Sequence, residues 1–222
     1  SGRNDWASTF SPDNRSNFYP AANASIVFTE MMPKNSSLSK ILSFGKLRLG
    51  YAQTGIEPPA YQTQTYYTQR AFTDGFTDGI GFPFLGVNGF GTDVVMGNAD
   101  LKPERQIGTE IGLDLRLYNG RINVDYTYYN QKSVDILLSK PIAPSSGYRF
   151  LYTNAGEMVN KGHELSINAT PVKLENGFQW DLGFNFTKNI NEVTKLEEGV
   201  DEINIETAFS SIGSFAIVGD PY

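Results

Sequence analysis

The chain has 222 residues, no cysteine, one histidine, a net charge of −6 and a pI near 4.9. These values leave no disulfide framework, zinc ribbon or thiol chemistry, argue against most metal and acid–base sites, and make nucleic acid an unsuitable partner. No apolar run reaches the ~18 residues of a spanning helix, and the mean hydropathy of −0.32 says nothing of barrel strands, which are only half apolar.

The opening residues, from Ser1 to Phe10, lack the basic region and apolar core of a signal peptide. On a membrane reading, the sequence is expected to begin mid-protein. The first alternating strand is predicted over 18–30, with Phe18, Ala22, Ala24, Ile26 and Phe28 on one face and Asn23, Ser25 and Thr29 on the other. A moderate connection follows, with a helical turn predicted around Leu38–Leu42. A second strand over 45–55 sets Leu47, Leu49 and Tyr51 opposite Lys46, Arg48 and Thr54. The connection 56–104 is very long.

Next come two long alternating runs that meet at Asn119-Gly120. That dipeptide is a strong hairpin signal, because a type I′ turn needs positive φ at both central residues. A two-residue loop pairs Ile111 with Tyr128, Leu113 with Tyr126, Leu115 with Val124 and Leu117 with Ile122 on an apolar face. It pairs Glu110 with Tyr129, Asp114 with Asp125 and Arg116 with Asn123 on a polar face. The run 107–117 spans roughly 23–25 Å of membrane normal at ~3.3 Å per residue and a ~45° tilt, close to the ~25 Å apolar band of an outer-membrane barrel. A half-buried hairpin of a soluble sandwich alternates too.

Two more strands are predicted over 152–170 and 178–190, and the chain closes on a long connection from Asn191 onward. Short turns fall only after the first, third and fifth strands, the parity of barrels with short periplasmic turns and long outer loops. The predicted fold is therefore all-β: a transmembrane antiparallel β-barrel whose apolar face meets outer-membrane lipid. Tyr118, Tyr126, Tyr128, Trp180, Tyr51 and Tyr19 are candidates for its aromatic girdles. Six strands do not close a barrel, since the smallest have about eight. Residues 1–222 are thus expected to be a fragment of a larger one.

Several segments carry a family resemblance. Asn98-Ala99-Asp100-Leu101-Lys102-Pro103-Glu104 is similar to the motif that precedes a barrel strand in SusC/RagA-like TonB-dependent outer-membrane transporters of Bacteroidetes, with Ala99 where that family has proline. The segments 47–55, 125–132, 141–148 and 180–193 resemble further family segments in family order. The run from Asn154 to Leu165 is the most specific of them. The resemblance covers about residues 18–222.

It implies a plugged 22-stranded barrel at the bacterial outer membrane, with the plug, the N-terminal region and the last strands outside residues 1–222. It implies energy-coupled import of large nutrients, glycan oligosaccharides or peptides. It also implies a SusD-like surface lipoprotein as lid and TonB as source of force. No cofactor is expected.

Candidate ligand contacts lie in the long loop: Tyr61, Tyr66, Tyr67, Arg70, Phe72 and Phe76, aromatic faces and a donor suited to sugar rings or peptide side chains. Packing of the loop onto itself, or against the lid, is the competing reading. Glu110, Asp114, Arg116, Asp125 and Glu164 are expected to face the lumen or plug, where water, Arg116 and plug residues relieve the Asp114–Asp125 repulsion. Within the 154–165 signature, Asn154, Gly156, Asn160, Lys161, Gly162 and Glu164 read as strand-shaping and plug-facing. The tandem Asp74-Gly75 and Asp78-Gly79 pairs supply too few oxygens for calcium and read as turns, so no metal site is expected. His163 shares parity with Leu165 and points away from the lumen, and no nucleophile elbow is present, so no enzyme is expected. Two other readings predict different behaviour: a receptor or adhesin that binds without transport, and a soluble glycan-binding β-sandwich.

Overall fold

The computed structural model describes residues 1–33, 37–73, 76, 79–197, 200, 202–209 and 212–221. Seven strands form one sheet in sequence order. They are β1 (Gly2–Trp6), β2 (Ser16–Val27), β3 (Leu42–Ile56), β4 (Glu104–Leu117), β5 (Ile122–Val134), β6 (Gly156–Lys173) and β7 (Gln179–Leu196). Every neighbouring pair is antiparallel, which makes an up-and-down meander.

The sheet has one strand more than the six expected. Its addition, β1, reads Gly-Arg-Asn-Asp-Trp and carries no apolar alternation; pairing with β2, from Gly2↔Pro20 to Trp6↔Ser16, defines it. β2 stops at Val27 and gives way to a 3-10 turn over Phe28–Met31. The predicted helical turn is present as Ser37–Ile41. β6 begins at Gly156 and does not reach back to Tyr152. Phe150–Asn154 is a separate strand, paired with Leu137–Pro141 and Val95–Met96. The break falls at Ala155, which is buried and donates its N–H to the Ile136 carbonyl at 3.0 Å.

The β4–β5 hairpin has the register its alternation predicts, with Ile111↔Tyr128, Asp114↔Asp125 and Leu117↔Ile122 among its pairs. Asn119 (φ 55°) and Gly120 (φ 84°) supply the positive-φ pair, and Arg121 N–H donates to the Tyr118 carbonyl at 3.3 Å. Tyr118 is also at positive φ, 51°, and its N–H donates to the Ile41 carbonyl of the neighbouring connection at 2.8 Å.

The two faces differ throughout. One collects Ile26, Leu49, Ile111, Leu113, Tyr126, Leu165, Trp180, Phe184 and Phe186. The other collects Asn23, Arg48, Glu110, Asp114, Asp125, Glu164 and Asn185. No second layer covers the apolar face among the described residues: Phe184 is 54% exposed and Ile111 49%. A soluble sandwich buries that face, so this arrangement contradicts the sandwich reading. Among the described residues, buried core clusters form at the long-loop end. One joins Ala7, Phe10 and Leu101 to Leu137 and Tyr152; the other joins Val193, Leu196, Ile203 and Ala216 to Leu138 and Val200.

The apolar band runs obliquely to the strands. On β7 it extends from Trp180 to Phe186, with Gly183 at its middle, and Gly183 registers through Asn168 to Asn123 on β5. On β2 it extends from Phe18 to Ile26, with Ala22 at its middle, and Ala22 registers through Tyr51 and Thr109 to Asn130 on β5. The offset from Asn123 to Asn130 is roughly 23 Å at ~3.3 Å per residue, accumulated over five spacings of ~4.8 Å, a slope of roughly 45°. Strands tilted by that angle bring the band level with a bilayer.

Candidate functional site

The polar face is knit by side chains that cross whole strands. Arg48 on β3 registers with Gly112 on β4, which registers with Thr127 on β5. Its Nη2 donates to both carboxylate oxygens of Asp125 at 3.0 and 3.2 Å and lies 3.4 Å from the Thr127 hydroxyl, while Nη1 is 3.8 Å from Asp114. A Cβ at Gly112 would stand 2.6 Å from Arg48 Nε, so only glycine leaves this passage open. The same device recurs two strands on. Tyr129 on β5 passes over Gly162 on β6 and donates its hydroxyl to Asn189 Oδ1 on β7 at 3.0 Å.

The cation between Asp114 and Asp125 is therefore Arg48. Arg116, expected there, lies with its guanidinium 4.9 Å above the Phe44 ring. Glu110 lines a groove of about 320 Å³ with Asn23, Ser25, Lys46 and Arg48. Glu164 is exposed on the same face, between Thr127 and Thr187. Tyr19, named as a girdle candidate, is buried, with Arg3 5.8 Å from its ring and its hydroxyl standing over Gly55 of β3.

The long-loop end is tied together by Asn154. Its Oδ1 accepts the Lys102 N–H at 2.9 Å, and its Nδ2 donates to the carbonyls of Lys102 and Asp135, each at 2.8 Å. Leu101, in the same motif as Lys102, is wholly buried against Phe10, and its carbonyl accepts from Asn14 Nδ2 at 3.0 Å. The residues expected to shape strands thus separate in role. Asn154 clamps loops, Gly162 admits Tyr129, and Lys161 shares the apolar face with His163 and does not face a plug. Burial in this end raises the Tyr152 phenol pKa above its ordinary value, and the nearby Glu104 charge adds to the rise.

The six candidate ligand residues do not form one site. Tyr61 and Tyr66 meet edge-to-face at 5.7 Å and line a cleft of about 650 Å³ whose other wall is the 8–15 segment, including Phe10 and Arg15. Tyr61 sits at φ 69°, unusual for a bulky residue; the loop around it is pinned by Asn98 N–H donating to the Gln62 carbonyl at 2.9 Å. Tyr67 is exposed outside the cleft, on a short strand paired with Phe90–Thr92. Arg70 turns inward, and its guanidinium donates to the Thr92 carbonyl. Phe72 packs edge-to-face with Phe82, and Phe76 is exposed. Asp74, Gly75 and Asp78, three of the four residues of the tandem pairs weighed for calcium, lie outside the described residues.

His163 is on the apolar face as its parity predicts, with Nδ1 2.7 Å from the Tyr126 hydroxyl and its ring 5.1 Å from that of Tyr128. Sequence reasoning missed Arg48 as the central cation, although its shared face with Asp114 follows from alternation once β3 is set beside β4. It also missed the 8–15 segment, for which no periodic signal exists.

Residues 1–210 match the family described as TonB dependent receptor-like, beta-barrel. The chain is 32% identical over 212 residues to TonB-dependent receptor P3 of Formosa agariphila, covering 93% of this chain and 19% of that protein. It is 33% identical over 208 residues to TonB-dependent receptor SusC of Bacteroides thetaiotaomicron, covering 89% and 19%. Among solved structures, the RagAB peptide transporter superposes with a TM-score of 0.78 at 26% identity, covering 99% of this chain and 22% of that one. The chain spans about a fifth of the length of the curated relatives it matches.

Proposed function

The chain belongs to the TonB-dependent receptor-like β-barrel family, and on that premise we propose that the whole protein imports large nutrients, glycan oligosaccharides or peptides, across the bacterial outer membrane. The part in hand is a wall of an outer-membrane β-barrel. The observation that carries the reading is the sheet itself: one antiparallel meander with an exposed, obliquely banded apolar face and a polar face on which Arg48 pairs with Asp114 and Asp125 within the wall. The first face suits lipid. The second suits a lumen, where a polar ligand slides past side chains already holding one another.

In this reading a plug and a TonB-contacting segment lie outside residues 1–222, and TonB supplies the force that opens a path. A SusD-like surface lipoprotein covers the long-loop end, and the cleft of Tyr61 and Tyr66 is the ligand-facing part of this piece. The polar residues Glu110, Asp114, Asp125 and Glu164 form lumen wall.

The test is uptake of labelled oligosaccharides and peptides by cells with and without the gene, and with and without TonB. Import predicts uptake of at least one ligand that needs both genes. Ligand capture at the surface that needs the gene but is unchanged by loss of TonB would support a binding receptor instead.

A further inference from the structure

Four cations lie along one diagonal of the apolar face. Lys188 on β7 registers with His163 on β6. Two residues toward the long-loop end of β6 is Lys161, which registers with Asn130 on β5. Two residues further along β5 is Lys132, which registers with Ile107 on β4, and two residues beyond Ile107 is Arg105. Diagonal neighbours of this kind stand ~7–8 Å apart. The row climbs toward the long-loop end by two residues per strand, close to the climb of the apolar band itself. It therefore runs near the membrane plane, along the outer edge of that band.

The residues directly beneath suit an interface. Tyr126, His163 and Tyr128 form a connected cluster of rings with polar tips, the chemistry found where hydrocarbon gives way to headgroups. Below them the face is aliphatic and aromatic, with Leu165 and Phe186 in register. Two of the four cations have acids: Lys132 with Glu157 at 2.6 Å and Arg105 with Asp135 at 3.0 Å. Lys161 and Lys188 have no ion pair among the described residues. Glu192, in register with Val159, is the remaining acid on this stretch. Long lysine stems lie along apolar surface and raise their charge to the phosphate layer.

We propose that Lys161 and Lys188, aided by the His163–Tyr126 pair, bind the phosphate of a phosphorylated lipid of the outer leaflet. Its acyl chains lie on the apolar band beneath. The site rests on the outer-membrane location of the barrel and not on import.

The test uses the full-length protein, extracted in detergent and placed in nanodiscs. It measures binding of a phosphorylated acyl-glucosamine lipid, the same lipid after phosphatase treatment, and inorganic phosphate. Wild-type protein is expected to bind the phosphorylated lipid, and K161Q/K188Q to bind it roughly 10- to 30-fold more weakly. The phosphatase-treated lipid is expected to bind wild type as weakly as the variant binds the intact lipid, with inorganic phosphate failing to compete at comparable concentration. Equal binding of the two lipids by wild type, unchanged binding by the variant, or competition by inorganic phosphate would each overturn the proposal. If the variant does not fold, the two lipids on wild type decide. Nutrient uptake by a folded K161Q/K188Q variant is expected to persist, so failure of this site and failure of import read out separately.

Discussion

Arg48 on β3 reaches Asp125 on β5, two strands away, at 3.0 Å. The intervening strand offers no side chain at the crossing, because the residue there is Gly112. Three strands are thereby locked by one guanidinium, and the Asp114–Asp125 pair, repulsive by itself, becomes a binding site for it.

Gly112→Ala is expected to displace Arg48, since the new Cβ would stand 2.6 Å from Nε. The loss is set at about 1 kcal/mol, because all three charged groups keep partial contact with solvent. Arg48→Ala should cost a similar amount, and the double variant little more than either single one. Gly108→Ala is the control: its Cβ would meet nothing nearer than the Ala52 carbonyl oxygen at 3.9 Å. Thermal unfolding of the full-length barrel in detergent reads all four.

At the second crossing the geometry is tighter. A Cβ at Gly162 would lie 2.4 Å from the Lys188 carbonyl oxygen, which is backbone and cannot swing aside. Gly162→Ala is therefore predicted to destabilise more than Gly112→Ala, while Tyr129→Phe loses only the bond to Asn189, about 1 kcal/mol. The same unfolding measurement ranks them, and the order Gly162→Ala over Tyr129→Phe is the decisive outcome.

Much of the sheet was legible because alternation and one turn determine register locally. Asn119-Gly120 alone sets every β4–β5 pair, and those pairs agree. Legibility fades where partners are distant. Nothing local ties Arg48 to β5, since the β3–β4 register is set across a long connection. The run from Gly2 to Trp6 has no pattern of its own and exists as a strand through β2. Tyr19 is a further case: its burial, under Arg3 and over Gly55, depends on β1 and β3 and has no local signal. The cleft wall from Ser8 to Arg15 was invisible, because only the fold brings it to Tyr61.

Asn154→Ala would leave the Lys102 N–H and the carbonyls of Lys102 and Asp135 without their partner. The expected cost is roughly 1–3 kcal/mol, felt mainly where the long loop enters β4. Limited proteolysis should cut the 57–103 connection several times faster in the variant, with barrel unfolding changed far less. Equal cleavage would remove Asn154 from its role as clamp.

Tyr61→Ala and Tyr66→Ala are predicted to weaken binding of the imported nutrient, each by roughly fivefold or more, as loss of an aromatic contact surface should. Tyr67→Ala, outside the cleft, should change it little. Arg70→Ala should increase loop cleavage without a matching loss of affinity, because its guanidinium is spent on the Thr92 carbonyl. Calorimetry on the detergent-solubilised protein reads the four affinities, and limited proteolysis separates Arg70→Ala from Tyr67→Ala.

The absence of cysteine in these 222 residues makes one measurement especially direct. Single cysteines placed in turn at positions 123–130 of β5 in the full-length protein, otherwise free of cysteine, spin-labelled and reconstituted in lipid, report exposure to lipid-soluble oxygen and to a water-soluble relaxation agent. Positions 124, 126 and 128 are predicted to favour oxygen, and positions 123, 125, 127 and 129 the aqueous agent, in strict alternation. A profile without that period of two, or with both sets exposed to water, would contradict the assignment of this sheet as a barrel wall between lipid and lumen.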